Sequence, residues 1–142
     1  MEIHSHSEAD TQEAAQALAK KIKAGDVLAL HGDLGMGKSV FARALIRALI
    51  EKPDEEVPSP TFTLVQTYDS AQGPLYHFDC YRIEDPEEIY ELGWEEALES
   101  GIIILEWPSR IAGILPTRRL DITLAPLHNN PEHRLITINR VE

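Results

Sequence analysis

The stretch from Val27 to Ile50, VLALHGDLGMGKSVFARALIRALI, constrains this chain more than any other. A short apolar run, Val27 to Leu30, meets a glycine-rich turn. An amphipathic run follows in which Phe41, Leu45 and Ala48 or Leu49 recur three to four apart, the order strand, loop, helix. Within it Gly32, Gly35, Gly37, Lys38 and Ser39 satisfy the phosphate-loop pattern G-x-x-x-x-G-K-[ST], in the strand-to-helix setting that a true example requires.

Each residue type has a physical job. The glycines admit backbone angles closed to other residues, so that successive N–H groups turn inward around a phosphate. The opening helix adds unpaired N–H groups and the positive end of its dipole. Lys38 reaches the β- and γ-phosphates as a point charge, and the Ser39 hydroxyl suits Mg²⁺. The bland alternative, a glycine-rich turn that happens to precede a helix, has to produce five matched positions by chance.

A chain of 142 residues is read as one domain spanning 1–142, with room for a single core. Lys and Arg number 13 against 24 Asp and Glu, a formal net charge of -11, and such a surface repels polyanions at long range. Free-standing nucleic-acid binding is disfavoured unless a local basic patch or a partner overrides it. The lone cysteine, Cys80, has no intramolecular disulfide partner and makes a poor zinc site. With no signal-like N-terminus and no apolar run near the ~20 residues of a membrane span, a soluble cytoplasmic protein is expected.

Around the phosphate loop the chain alternates between strand and helix patterns. A short strand is expected over Glu2 to His6. A helix follows, with Asp10 and Glu13 at capping-box spacing and an apolar stripe to about Lys23. KPDEEVPSP is a stiff loop, and Thr61–Tyr68 and Pro74–Phe78 read as a hairpin. Pro86 starts a helix to Leu92, with a further piece over Trp94 to Leu98. IIILE, ending at Glu106, suits a strand buried on both faces. Ser109 to Leu115 suggests a short helix, and Arg119–Leu124 and Arg134–Asn139 a second hairpin around HNNPEH. The fold class expected is α/β: a P-loop NTPase-like three-layer sandwich, its central sheet mostly parallel with an antiparallel hairpin extension.

A phosphate loop needs a second acid for Mg²⁺ or its water shell, usually at the end of a neighbouring buried strand, where Glu106 falls. Asp79 also follows an apolar strand; it is either a second metal-shell carboxylate or an ion-pair partner for Arg82. Thr61, held in a stiff loop, is placed to present its hydroxyl to a γ-phosphate. Trp107 stacks on a base or a partner, or simply packs. His4 and His6 share a strand face without a third ligand, the pattern of surface residues more than of a metal site. No [NT]-K-x-D segment occurs, which argues against a Ras-like GTPase and for ATP.

With GDLGMGKS, SPTFTLVQTY, HFDCYR and IIILEWPSR in this order, the chain closely resembles the bacterial TsaE (YjeE) family of tRNA threonylcarbamoyladenosine biosynthesis ATPases over nearly its whole length. The resemblance implies a Mg-dependent ATPase that assists the TsaB-TsaD complex, meeting tRNA only through that complex and touching neither DNA nor membrane. By similarity Gly32, Asp33, Leu34, Gly35, Met36, Gly37, Lys38 and Ser39, with Val40 next in the chain, bind the nucleotide. Ser39, Glu106 and Asp79 serve Mg²⁺, while Lys38, Glu106, Asp79 and Thr61 form the catalytic group. Thr61 and Trp107 sit in the family's SPTF and EWP segments, and Thr11 and Arg134 fall where the family touches the nucleotide.

The loop carries Met36 where family members often have alanine, and Ser39 where they often have threonine. Serine keeps the hydroxyl that a metal needs; Met36 adds bulk at the loop mouth. Two other readings stay open: a small-molecule P-loop kinase, and a nucleotide-gated binding module whose hydrolysis is incidental. Phosphate release without an added acceptor distinguishes the first, and Glu106→Gln the second.

Overall fold

A strand buried on both faces needs hydrogen-bonded neighbours on both edges, and IIILE finds them in the middle of a seven-stranded mixed sheet. The computed structural model describes residues 1–127 and 130–142. In chain order the elements are β1 (Glu2–Ser5), α1 (Glu8–Ala19), β2 (Val27–His31), α2 (Lys38–Ile50), β3 (Val65–Ser70) and β4 (Gly73–Asp79). A 3₁₀ turn (Pro86–Leu92), α3 (Trp94–Ser100), β5 (Ile102–Glu106), a second 3₁₀ turn (Pro108–Ile111), β6 (Arg119–Leu127) and β7 (Asn130–Val141) complete it.

The sheet order is β1-β7-β6-β2-β5-β4-β3. The pairs β6/β2, β2/β5 and β5/β4 are parallel. Antiparallel pairing occurs at both edges, β3 on β4 at one side and β7 with β1 beyond β6 at the other, so the two expected hairpins lie on opposite sides of the parallel strands. Side-chain alternation divides the core. Leu28, Leu30, Leu75, Ile102, Ile104 and Ile122 pack with Phe41, Leu45 and Leu18 of α2 and α1. Val27, Phe78, Ile103 and Leu105 pack with Trp94, Ala97, Ile89 and Ile111 on the other face, where the Phe78 ring meets Trp94 edge-on at 5.4 Å. Among the described residues no helix is long and apolar enough to cross a membrane.

Several boundaries move for local reasons. Ser7, not Asp10, caps α1: its hydroxyl accepts from the Asp10 N–H, while the Asp10 carboxylate accepts from the His6 N–H. The cap is therefore one turn earlier, and the helix ends at Ala19, before Lys23. Thr61 to Leu64 do not extend β3. The Leu64 N–H bonds back to the Pro60 carbonyl at 2.7 Å, and Leu64 adopts a positive φ of 71°. The segment after Pro86 is 3₁₀, closed by an Asp85–Glu88 capping box, and the expected helix over Ser109 to Leu115 shrinks to one 3₁₀ turn. Of the turn expected at 128–133, positions 128 and 129 lie outside the described residues, and Asn130 already begins β7.

Ile104, fully buried at the centre of the sheet, has no room to lose side-chain volume. Ile104→Ala is expected to cost about 2–5 kcal/mol of unfolding free energy in urea titration, with no change in urea dependence.

Candidate functional site

Parallel strands end together, and here β2, β4 and β5 deliver their C-terminal residues to one rim. In register, Leu30 pairs with Glu106 and Glu106 with Asp79. Glu106 and Asp79 sit on the sheet face that α2 covers, because they follow Ile104 and His77 by two residues. Both carboxylates are buried although they belong to the rim.

The glycine loop lies between β2 and α2. Gly32 has φ 145°, and a Cβ there would come within 2.6 Å of the Leu124 carbonyl oxygen on β6, so this position accepts only glycine. Gly37 caps α2 in the left-handed region with no side chain on the first N–H groups, and the first turn carries no acid. The helix therefore begins with free donors and an uncompensated dipole.

Lys38, first residue of α2, is 6% exposed, and its Nζ is buried with no hydrogen-bond partner. Nζ lies over the Trp107 ring, 3.3 Å from its centroid. Burial pushes the Lys38 ammonium below the usual lysine range, against the opposing pull of Glu106, Asp79 and Asp33. Trp107 reaches this position through a strained backbone, φ 57°, between Glu106 and Pro108, and leans on Tyr81 at 5.0 Å.

Asp79 is held through both oxygens. Oδ1 accepts from the Tyr81 N–H at 2.9 Å and Oδ2 from the Thr61 hydroxyl at 3.0 Å, while Thr61 also meets the Ser59 hydroxyl at 2.8 Å. The SPTF loop is thus tied to the carboxylate by a side chain and, through the Asp79 N–H to the Leu64 carbonyl, by backbone. Arg82, the alternative partner for Asp79, instead lies over the exposed Phe62 ring. Cys80, next in the chain, is fully buried; burial, with Asp79 and Glu106 nearby, pushes its thiol up to about 12, so it is no nucleophile.

Thr11 and Arg134 lie on the other side of the loop. They share a groove of about 260 Å³ with Gly35, Met36, Gly37 and Val40. The Arg134 guanidinium donates to the carbonyls of Met36 at 3.1 Å and Gly35 at 3.2 Å. Two carbonyls of the glycine loop thus find their donor in Arg134. Thr11 is buried, its hydroxyl 2.7 Å from that of Ser5. Ser39 is exposed in the first turn of α2, and Asp33 and Leu34 project from the loop tip.

The residues singled out from sequence therefore form two groups flanking one loop: Lys38, Thr61, Asp79, Glu106 and Trp107 at the strand ends, Thr11, Met36, Val40 and Arg134 in the groove. His77 escaped sequence reasoning, yet its Nε2 lies 2.7 Å from Glu106 Oε2. The signal was the spacing H-x-D on β4 beside a strand ending in Glu106, which is informative only once the two strands are known to be neighbours. Among the described residues no group of three or more His, Cys, Asp or Glu converges as a protein-only metal site, and His6 instead packs on His133 at 4.5 Å.

Gly32→Ala is expected to cost about 1–3 kcal/mol, by strain at φ 145° and the clash with Leu124. Gly113→Ala, whose Cβ would meet nothing within 4 Å, is the control and should stay within about 0.5 kcal/mol. Thermal unfolding of both variants checks the difference.

Residues 5–136 match the family model described as threonylcarbamoyl adenosine biosynthesis protein TsaE. A protein of Rickettsia conorii named tRNA threonylcarbamoyladenosine biosynthesis protein TsaE is 40% identical over 137 residues, 96% of this chain and 78% of that protein. Proteins of the same name from Bacillus subtilis and Treponema pallidum are 40% and 33% identical, over 81% and 97% of this chain and 71% and 99% of theirs. The crystal structure of Bacillus subtilis YdiB superposes with a TM-score of 0.75 at 29% identity, over 100% of this chain and 86% of that one. Together with the loop, strand ends and groove described above, these matches mean that the chain belongs to the TsaE family.

Proposed function

We propose that this chain is a Mg-dependent P-loop ATPase, a single cytoplasmic domain of P-loop NTPase architecture that serves tRNA threonylcarbamoyladenosine formation together with TsaB-TsaD. The observation that carries the reading is Lys38: a buried ammonium without an oxygen partner, at the mouth of a glycine loop that opens a helix. Burying an ammonium without an oxygen partner is costly, and a polyphosphate supplies the missing oxygens. The family membership supports the biological role, since the relatives carry it in their names.

In this reading the loop N–H groups and Lys38 bind the phosphates of ATP, and the groove beside Thr11 and Arg134 takes the nucleoside. The donor set fits Mg²⁺, which needs one or two carboxylates beside phosphate oxygens and not a protein-only cage; Ser39, Asp79 and Glu106 are those donors. Mg²⁺ supplies neutralisation of the charge that develops on the phosphate oxygens. Glu106 orients the attacking water. The Thr61–Asp79 hydrogen bond couples the SPTF loop to the metal side of the site, so that the exposed Phe62 (81%) reports the state of the nucleotide to a partner surface.

The test is ATP hydrolysis by the purified chain, alone and with TsaB-TsaD, alongside threonylcarbamoyladenosine formation on tRNA over many turnovers. Partner-stimulated hydrolysis and multiple turnover only in the presence of this chain are the expected result; a phosphorylated metabolite in place of free phosphate would mean a kinase. Glu106→Gln is expected to lower hydrolysis by about 10²–10⁴-fold while nucleotide still binds, the usual contribution of a positioned acid or base. If tRNA modification persists in that variant, hydrolysis is dispensable and the chain is a nucleotide-gated module.

Lys38 also makes binding depend on pH. Its charged form binds phosphate, so affinity for ATP is full only below the pKa of Lys38 in the free protein. It is lost as pH rises through the lowered pKa of the free protein, which lies below the ordinary 10.5. Calorimetry in the alkaline range should detect proton uptake on binding, and Lys38→Ala should abolish both the uptake and most of the affinity.

A further inference from the structure

One titratable group at the site has no part in the reading above. His77 is 2% exposed in β4, two residues before Asp79, and so shares with Asp79, Ile104 and Glu106 the sheet face covered by α2. Its Nε2 is 2.7 Å from Glu106 Oε2, while its other nitrogen, Nδ1, is buried with no partner. An ionised carboxylate has only lone pairs to offer, so the close contact requires the proton on Nε2. The neutral tautomer of that kind leaves at Nδ1 a bare acceptor. The opposite tautomer would face two acceptors at 2.7 Å and strand a buried N–H donor, which is far more costly.

A buried imidazole–carboxylate pair is an expensive use of this face. Its neighbours along the same strands, Leu75, Ile102 and Ile104, are apolar and fully buried, and an apolar pair of similar volume would stabilise the sheet at least as well. What the polar pair achieves is orientation. A glutamate has three rotatable side-chain bonds, and a hydrogen bond to one oxygen removes most of that freedom.

We infer that His77 is the positioning residue for Glu106: its Nε2–H holds Oε2 and leaves Oε1 free to act on the reacting nucleotide. The inference rests on the ATPase reading of the site. His77 does not touch substrate; it acts through Glu106, as partners of catalytic carboxylates and metal ligands do elsewhere.

The test pairs His77→Leu, which removes the donor, with His77→Gln, whose amide nitrogen can take the place of Nε2. His77→Leu is expected to lower kcat by about 10- to 100-fold with KM for ATP and affinity for a non-hydrolysable analogue unchanged, and His77→Gln to restore most of the rate. Long-range proton–nitrogen NMR of the wild-type imidazole should give the tautomer protonated on Nε2. Full kcat in folded His77→Leu would overturn the proposal, as would an Nδ1-protonated ring or losses in both variants that merely track their melting temperatures. If His77→Leu does not fold, His77→Asn, whose amide is too short to reach, takes its place, and equal rates for the Asn and Gln variants would overturn the proposal. Absence of hydrolysis by the wild-type chain, with and without TsaB-TsaD, would instead sink the ATPase reading, and the NMR tautomer would still decide whether His77 holds Glu106.

Discussion

The Lys38 ammonium, lying against the face of Trp107 with no oxygen in hydrogen-bond reach, is the interaction on which the rest of the site turns. An ammonium loses much of its hydration on burial, and an aromatic face returns only part of that loss. The surrounding acids, Glu106, Asp79 and Asp33, favour its charged state from a distance without quenching it. The site is thereby left short of bonded oxygens at the spot where a glycine loop meets a helix start, and it is on this shortage that the proposed phosphate binding rests.

That arrangement depends in turn on sheet order. β5 lies between β2 and β4, so Glu106 is the register neighbour both of Leu30, on the strand that feeds the loop, and of Asp79. The carboxylates owe their rigidity to contacts with separate parts of the chain: Asp79 to Thr61 and the Tyr81 N–H, Glu106 to His77. Across the loop, Arg134 reaches from β7 to carbonyls of Gly35 and Met36, and the loop is thus braced from a strand nearly a hundred residues away in sequence. Gly32 shows the same dependence, since the backbone that forbids a side chain there belongs to Leu124 on β6.

Much of the fold was legible because the local patterns were strong. The VLAL and IIILE runs became buried parallel strands, and the stripe of Phe41, Leu45 and Leu49 became the buried face of α2, as period and burial require. Boundaries failed where a short polar contact outcompeted a propensity. Thr61–Leu64 looks β-prone, but the Thr61 hydroxyl and the Leu64 N–H find better partners in a turn. In α1, Ser7 was the stronger cap, one turn before Asp10.

By itself the sequence determined the strand–loop–helix unit, its glycines and lysine, the acids that end two apolar strands, and the ordered segments that point to the family. All of these are local: they depend on residue spacing along a few turns of chain or on a motif written contiguously. Only the tertiary structure decided that Asp79 answers to Thr61 and not Arg82, that Trp107 lies beside Lys38 and not in the groove of Thr11 and Arg134, and that His77 meets Glu106. Those are contacts between strands and loops far apart in sequence. Their partners are selected by which strand lies next to which and by which face a side chain takes, and neither is encoded in any single stretch.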